Sequence, residues 1–192
     1  MTPKRYHPRP RKDYRSLIYI AIGVFLVAAA GLYLLSFYAD RTMDDGALSA
    51  VPATANYPAP ELALTDLDGN PVALSDHIGQ VVLVNNWASW CPPCQAEMPD
   101  LQAYYAEHAD EGFIVIGIDA GEPEATVRTF VEQYSLTFPI WLDLRMEALY
   151  VFQNPDLPSS YVIDREGTVR RHWTGQISIR MLDRYVTPLI ER

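Results

Sequence analysis

Along this chain, unbroken apolar runs alternate with stretches in which apolar residues recur every three or four positions. Val81-Val82-Leu83-Val84 and Phe113-Ile114-Val115-Ile116-Gly117-Ile118 are runs of the first kind, as expected of strands covered on both faces. A helix is predicted over 93–108. A second is predicted over 122–134, where Val127, Phe130, Val131 and Tyr134 fall at helical spacing. Residues 138–142 read as a further strand, 146–152 as a short helix and 179–190 as a closing helix. Asp68-Gly69-Asn70 separates Leu62-Ala63-Leu64 from Val72-Ala73-Leu74, and Arg165-Glu166-Gly167 separates Tyr161-Val162-Ile163 from the run over 169–173. Each is a turn signature between short apolar segments, so a β-hairpin is expected at either end of the domain. Strands alternating with helices, then a terminal hairpin, predict an α/β three-layer domain with a mixed sheet.

One segment does not belong to that pattern. Residues 17–39 read LIYIAIGVFLVAAAGLYLLSFYA without a charge. As a helix they would rise roughly 35 Å, enough to cross a hydrocarbon layer of about 30 Å. A signal peptide cleaved after Ala28-Ala29-Ala30 is the competing reading, but its apolar core is typically about 7–15 residues. The anchor reading is preferred on that length. Residues 1–16 carry six basic residues against Asp13 alone, a net +5. By the positive-inside tendency this arm stays cytoplasmic and the body lies outside the membrane. Residues 40–56, with Pro52 among small polar residues, read as a semi-extended linker, and 57–192 as the folded domain.

Charge adds a constraint. The whole chain carries −9, so with +5 in the arm everything after it carries −14. That balance argues against nucleic acid as a partner of the body.

Only two cysteines occur, Cys91 and Cys94, after a predicted strand and at the start of a predicted helix. A structural zinc site needs four ligands, and His77, His108 and His172 offer no matching spacing. A permanent structural disulfide would close too small a loop to constrain the unfolded chain much. A redox-active pair accounts for spacing, placement and compartment together.

Residues 81–94, reading VVLVNNWASWCPPC, resemble the active-site strand and turn of the thioredoxin superfamily. The resemblance is to its membrane-tethered TlpA/ResA-like branch, with a redoxin (AhpC-TSA-like) domain, which includes proteins of cytochrome c maturation. Pro60-Glu61-Leu62 with Asp68-Gly69 resembles that branch's N-terminal hairpin. Leu157-Pro158-Ser159-Ser160-Tyr161-Val162-Ile163-Asp164 resembles its cis-proline loop and following strand.

The chemistry expected is thiol–disulfide exchange through a mixed disulfide. Cys91 is expected to be the exposed nucleophile, its thiolate favoured by the helix N-terminus by roughly 0.3–1 kcal/mol. Cys94 is expected to be the shielded resolving thiol. Pro92 and Pro93 remove two backbone N–H groups that could stabilise a Cys91 thiolate, leaving mainly that of Cys94. Fewer donors disfavour the reduced form, so the expectation is a reductant rather than a DsbA-type oxidant.

Glu97 lies one turn beyond Cys94 on the same helix face. It is either a solvated helix carboxylate or a partly buried acid that moves protons for the cysteines; the branch commonly carries a functional glutamate there. Asn85 stands where ordinary thioredoxins often have a buried aspartate, and an amide cannot titrate. The resemblance also implies that Trp90, Pro92, Leu157 and Pro158 contact substrate, with Pro158 the cis-proline.

No cofactor beyond the Cys91–Cys94 pair is expected. The resemblance implies protein disulfide substrates, apocytochrome c first among them, and a membrane thiol-transfer protein as electron donor. Two rivals on the same fold fit less well. A thiol peroxidase would want a Pro-x-x-x-Thr-x-x-Cys arrangement, and a copper-site assembly module a Cys-x-x-x-Cys spacing with a downstream histidine.

Overall fold

The computed structural model describes residues 51–192, together with residues 19, 20, 23, 25, 26 and 28–31. The chain divides into two units, Met1–Asp44 and Asp45–Arg192. The described residues of the first unit are helical. Among the described residues no helix is long and apolar enough to cross a membrane. The anchor predicted over 17–39 lies largely outside the described residues, as do the basic arm over 1–16 and most of the linker.

The second unit is built outward from β4, Val81–Trp87, every residue of which is buried. Alternation along this strand sorts its side chains between two cores. Val81, Leu83 and Trp87 join a cluster with Met98, Leu101, Tyr104, Phe130 and Trp173. Val82 and Val84 join another with Ile116, Ile118, Trp141, Phe152 and Tyr161 on the opposite face. This is why the run is apolar without interruption: helices and loops exclude water from both sides of the sheet.

The remaining strands are β1 (Ala53–Pro58), β2 (Ala63–Asp66), β3 (Pro71–Ala73), β5 (Phe113–Ala120), β6 (Ile140–Asp143), β7 (Ser159–Ile163) and β8 (Thr168–Thr174). They form one eight-stranded sheet in the order β1-β8-β7-β4-β5-β6-β2-β3. β4, β5 and β6 run parallel, linked by α1 (Pro92–His108) and α2 (Glu124–Tyr134). β7 returns antiparallel to β4 after the short α3 (Glu147–Val151). The carboxyl ends of three strands and the start of β7 therefore share one edge, where open α/β sheets carry their sites.

At Gly117 the packing leaves no room for a side chain. A Cβ there would lie 2.8 Å from Ile140 Cδ1 and 2.9 Å from Phe138 Cε2.

The predicted mixed α/β sheet and both hairpins are present, with three differences. β1 begins at Ala53 and pairs with β8, so residues 53–56, read as linker, belong to the sheet. An edge strand exposed along most of its length shows no apolar alternation, and only its partner makes it a strand. The closing helix is two helices, α4 (Ile179–Tyr185) and α5 (Thr187–Ile190), divided at Val186. Pro188 lacks the N–H and its ring crowds the preceding turn, which ends a continuous helix. Strand β6 starts two residues later than expected, after Pro139, which cannot donate to a ladder.

Candidate active site

β4 delivers the chain to the shared edge, and residues 88–91 turn it into α1. Cys91 is the N-cap of α1, and two prolines open the helix, where a missing N–H costs nothing and the fixed φ is already helical. Cys91 and Cys94 form a disulfide, with Cα atoms 5.2 Å apart. The Cys94 N–H donates to Cys91 Sγ at 3.3 Å. This is the one donor that the double proline leaves on that turn.

Exposure departs from expectation at Cys91. Cys94 is fully buried as expected, but Cys91 is only 3% exposed. Its sulfur is bonded to the buried one, and the residue belongs to the cluster that contains Trp87, Ala88 and Cys94, against which Leu157 packs. Trp90 is instead the exposed residue of the turn, at 67%. Trp87 is buried and stacks on Phe130 at 4.5 Å. Trp141 and Trp173 lie in the two cores.

The buried residues of α1 are Cys94, Glu97, Met98, Leu101, Tyr104 and His108, a single stripe at helical spacing. Glu97 thus faces the sheet with no exposure to solvent. Its Oε1 accepts from Asn85 Nδ2 at 2.7 Å, and its Oε2 accepts from the Ile177 N–H at 2.9 Å. Asn85 Nδ2 also donates to Ser160 Oγ at 2.9 Å. Loss of solvent pushes the Glu97 pKa up to about 8, against the two hydrogen bonds that hold it down; the charge of Asp100 raises it further.

The Leu157–Pro158 peptide is cis. Ser159 and Ser160 pair with Asn86 and Asn85, so Pro158 lies beside the end of β4, where the chain leaves for the cysteines. Pro158 is buried, its carbonyl accepts from the Gly175 N–H at 2.8 Å, and Leu157 packs at the rim. Pro92 is exposed.

A second polar group at this edge was not anticipated from the sequence. Glu122, in the turn after β5, accepts from both the N–H and the Oγ of Ser89, each at 2.5 Å. The Glu122 N–H donates to Asp119 Oδ2 at 2.8 Å, and Gln95 Nε2 donates to the Ser89 carbonyl at 2.6 Å. A signal was available: Asp119 directly follows a six-residue apolar run, and an acid at the carboxyl end of a buried parallel strand points at a site edge. Asn85 is legible in the sequence as an amide, but its bond to Glu97 depends on a contact across 12 positions. A cavity of about 530 Å³, bounded by Leu62, Leu74, Ile78 and Ile163 among others, lies among residues of the opposite core and shares none of these groups.

An α/β fold with a disulfide at the mouth of its first long helix, a buried acid one turn in and a cis-proline alongside define a thioredoxin-like thiol–disulfide oxidoreductase. The chain belongs to the AhpC/TSA family, whose pattern matches residues 55–172. Thiol-disulfide oxidoreductase ResA of Geobacillus kaustophilus (strain HTA426) is 33% identical over 177 residues, 92% of this chain and 97% of that protein. ResA of Halalkalibacterium halodurans is 29% identical over 177 residues, 91% and 96% of the two chains. Among solved structures, a thiol:disulfide interchange protein of the thioredoxin family from Chlorobium tepidum TLS superposes with a TM-score of 0.62 at 29% identity, covering 72% of this chain and 99% of that one. The thioredoxin domain of a thiol-disulfide oxidoreductase from Bacteroides vulgatus gives 0.64 at 26%, covering 72% and 98%.

Proposed function

We propose that this chain is a membrane-anchored disulfide reductase whose catalytic domain lies outside the membrane and acts on protein disulfides, with apocytochrome c as the leading substrate. The Cys91 thiolate attacks a substrate disulfide, forming a mixed disulfide and releasing one substrate thiolate, which takes a proton from water. Cys94 then attacks the Cys91 sulfur, releases the second substrate thiolate and closes the Cys91–Cys94 disulfide. Two electrons have passed to the substrate, and a membrane thiol-transfer protein restores the dithiol. No cofactor beyond the cysteine pair is needed.

The observation that carries the reading is Glu97. A carboxyl group in the Cys94 stripe with a pKa of about 8 titrates close to an ordinary thiol, near 8.5. Proton transfer between the two is then nearly balanced, which suits a general base for the resolving thiol. The single N–H on the Cys91 sulfur supports the reductive direction, since a poorly stabilised thiolate favours the disulfide form of the enzyme. Exposed Trp90 and Pro92, with half-buried Leu157, form the surface that a substrate segment meets, and Pro158 is buried behind Leu157.

Trapping tests this directly. A Cys94→Ser variant of the full chain should accumulate a mixed disulfide on Cys91 with its physiological partner. Recovery of a c-type apocytochrome supports the substrate assignment; recovery only of other disulfide proteins refutes it. Peroxide consumption by the wild type that outpaces disulfide reduction would instead favour the thiol peroxidase.

A further inference from the structure

The exchange steps do not use Asn85, yet it sits at the centre of the buried polar contacts around Glu97. It is fully buried on β4 and is the register partner of Ser160, two residues beyond Pro158. Its Nδ2 divides between two acceptors, Glu97 Oε1 on α1 at 2.7 Å and Ser160 Oγ on β7 at 2.9 Å. One amide nitrogen therefore ties three elements together, with one hydrogen for each acceptor. Its own Oδ1 is buried without a hydrogen-bond partner among the described residues. Leaving a buried acceptor unpaired is costly, so the orientation of the amide is set by the two acceptors it serves.

Glu97 Oε2 already accepts from the Ile177 N–H at 2.9 Å, so with Asn85 in place each carboxyl oxygen faces a donor. Donors on both oxygens suit a carboxylate, whereas a carboxylic acid would have to turn its own hydrogen toward one of them. We infer that Asn85 is a positioning residue for Glu97: its amide fixes the carboxyl group between α1 and the strand after the cis-proline, and stabilises the ionised form against burial. Asp100 is the charged group acting on Glu97, from the same helix, and it opposes ionisation as burial does. The groups that face the carboxyl group from β4 and from the segment before α4 are the two neutral donors. The inference rests on the reading of Glu97 as the base for Cys94.

Asn86 offers a matched comparison within the same strand. It is buried, its Nδ2 donates to Ser159 Oγ at 3.2 Å, and its Oδ1 is likewise unpaired. The same kind of side-chain bond thus joins the same two strands. Alternation along β4 turns Asn86 to the opposite face, where no acid accepts from it. Whatever Asn85 does for Glu97 beyond joining β4 to β7, Asn86 does not do.

Glutamate labelled with ¹³C at Cδ in the oxidised full chain in detergent reads the ionisation of Glu97, whose resonance is the one missing from Glu97→Gln. Asn85→Ala removes a hydrogen bond to a charged group, so the midpoint should rise by about one pH unit, a tenfold gain in proton affinity. Asn86→Ala should leave it in place. A midpoint unmoved in Asn85→Ala, or moved equally in both variants, overturns the inference. A partner swap decides the matter if Asn85→Ala does not fold. Asn85→Asp sets acceptor against acceptor and Glu97→Gln leaves one donor too many, whereas the double variant restores the pairing with donor and acceptor exchanged. In urea unfolding at pH 9 its unfolding constant should be about tenfold smaller than the product of the two single effects predicts; simple multiplication of the two overturns the inference. In the reduced chain, the pH profile for reduction of oxidised glutathione should move with the Glu97 midpoint. A midpoint that moves without the profile refutes the base role of Glu97 and leaves the Asn85 bridge standing.

Discussion

Replacing Glu97 by Gln removes one titration from the protein interior, and its consequence for stability can be worked out in sign and size. The carboxyl group titrates at about 8 in the folded chain against an ordinary 4.5, principally because it is buried. The native state therefore keeps a proton that the unfolded state has released between those two values. Stability is greatest below about pH 4.5 and is lost as pH rises through about 8. At ~1.36 kcal/mol per pH unit the full loss is about 5 kcal/mol, of which about 4 kcal/mol falls between pH 5 and 8. The group has no exposure to solvent that would screen this effect.

The substitution has a constant cost as well. Asn85 Nδ2 and the Ile177 N–H both need an acceptor at this position, and an amide supplies one oxygen where the carboxyl has two. Leaving one buried donor unpaired costs about 1–3 kcal/mol at every pH. The informative quantity is thus the slope and not the offset. Urea unfolding of the oxidised full chain in detergent, followed by tryptophan fluorescence from pH 5 to 9, measures it. The disulfide keeps the cysteines from titrating, and the groups common to both proteins cancel in the comparison. Wild type should lose about 4 kcal/mol relative to Glu97→Gln across that range. Parallel curves would refute the buried, protonated state of Glu97, and with it the proton-transfer role. Unchanged thiol pKa values and exchange rate in the reduced variant would refute that role independently.

Two other substitutions probe the same edge. Pro93→Ala restores an N–H on the turn facing the Cys91 sulfur; a hydrogen bond to a charged group is worth about 1.5–3 kcal/mol, so the potential should rise by roughly 30–60 mV. A redox titration showing no rise would break the link drawn here between the double proline and reducing power. Trp90→Ala should leave stability within about 0.5 kcal/mol because the residue is 67% exposed. It should slow exchange with a protein disulfide about tenfold while leaving exchange with dithiothreitol unchanged; equal effects on both would show that Trp90 is no substrate contact.

Local chemistry made much of this protein legible without coordinates. Fully buried strands announce themselves as unbroken apolar runs, which located β4 and β5. Cys91-Pro92-Pro93-Cys94 at a strand-to-helix junction singled out the pair that the structure joins as a disulfide, and helical spacing placed Glu97 in line with Cys94. Each of these depends on neighbours within one turn or one strand. Other features depend on partners far away in sequence, and only the tertiary structure decided them. Ala53–Pro58 is a strand because β8 lies beside it, not because of any periodicity of its own. Cys91 is covered because it packs into the core cluster, which no spacing rule conveys. Glu97 titrates high because the assembled core removes it from water, while Asn85 and Ile177, 12 positions before it and 80 after it, bond to it there and oppose the shift. Glu122 reaches Ser89 from 33 positions away because parallel strands bring their carboxyl ends to one edge. Burial and long-range contact are properties of the assembled sheet, and desolvation, the force that raises the Glu97 pKa, exists only once that sheet has formed.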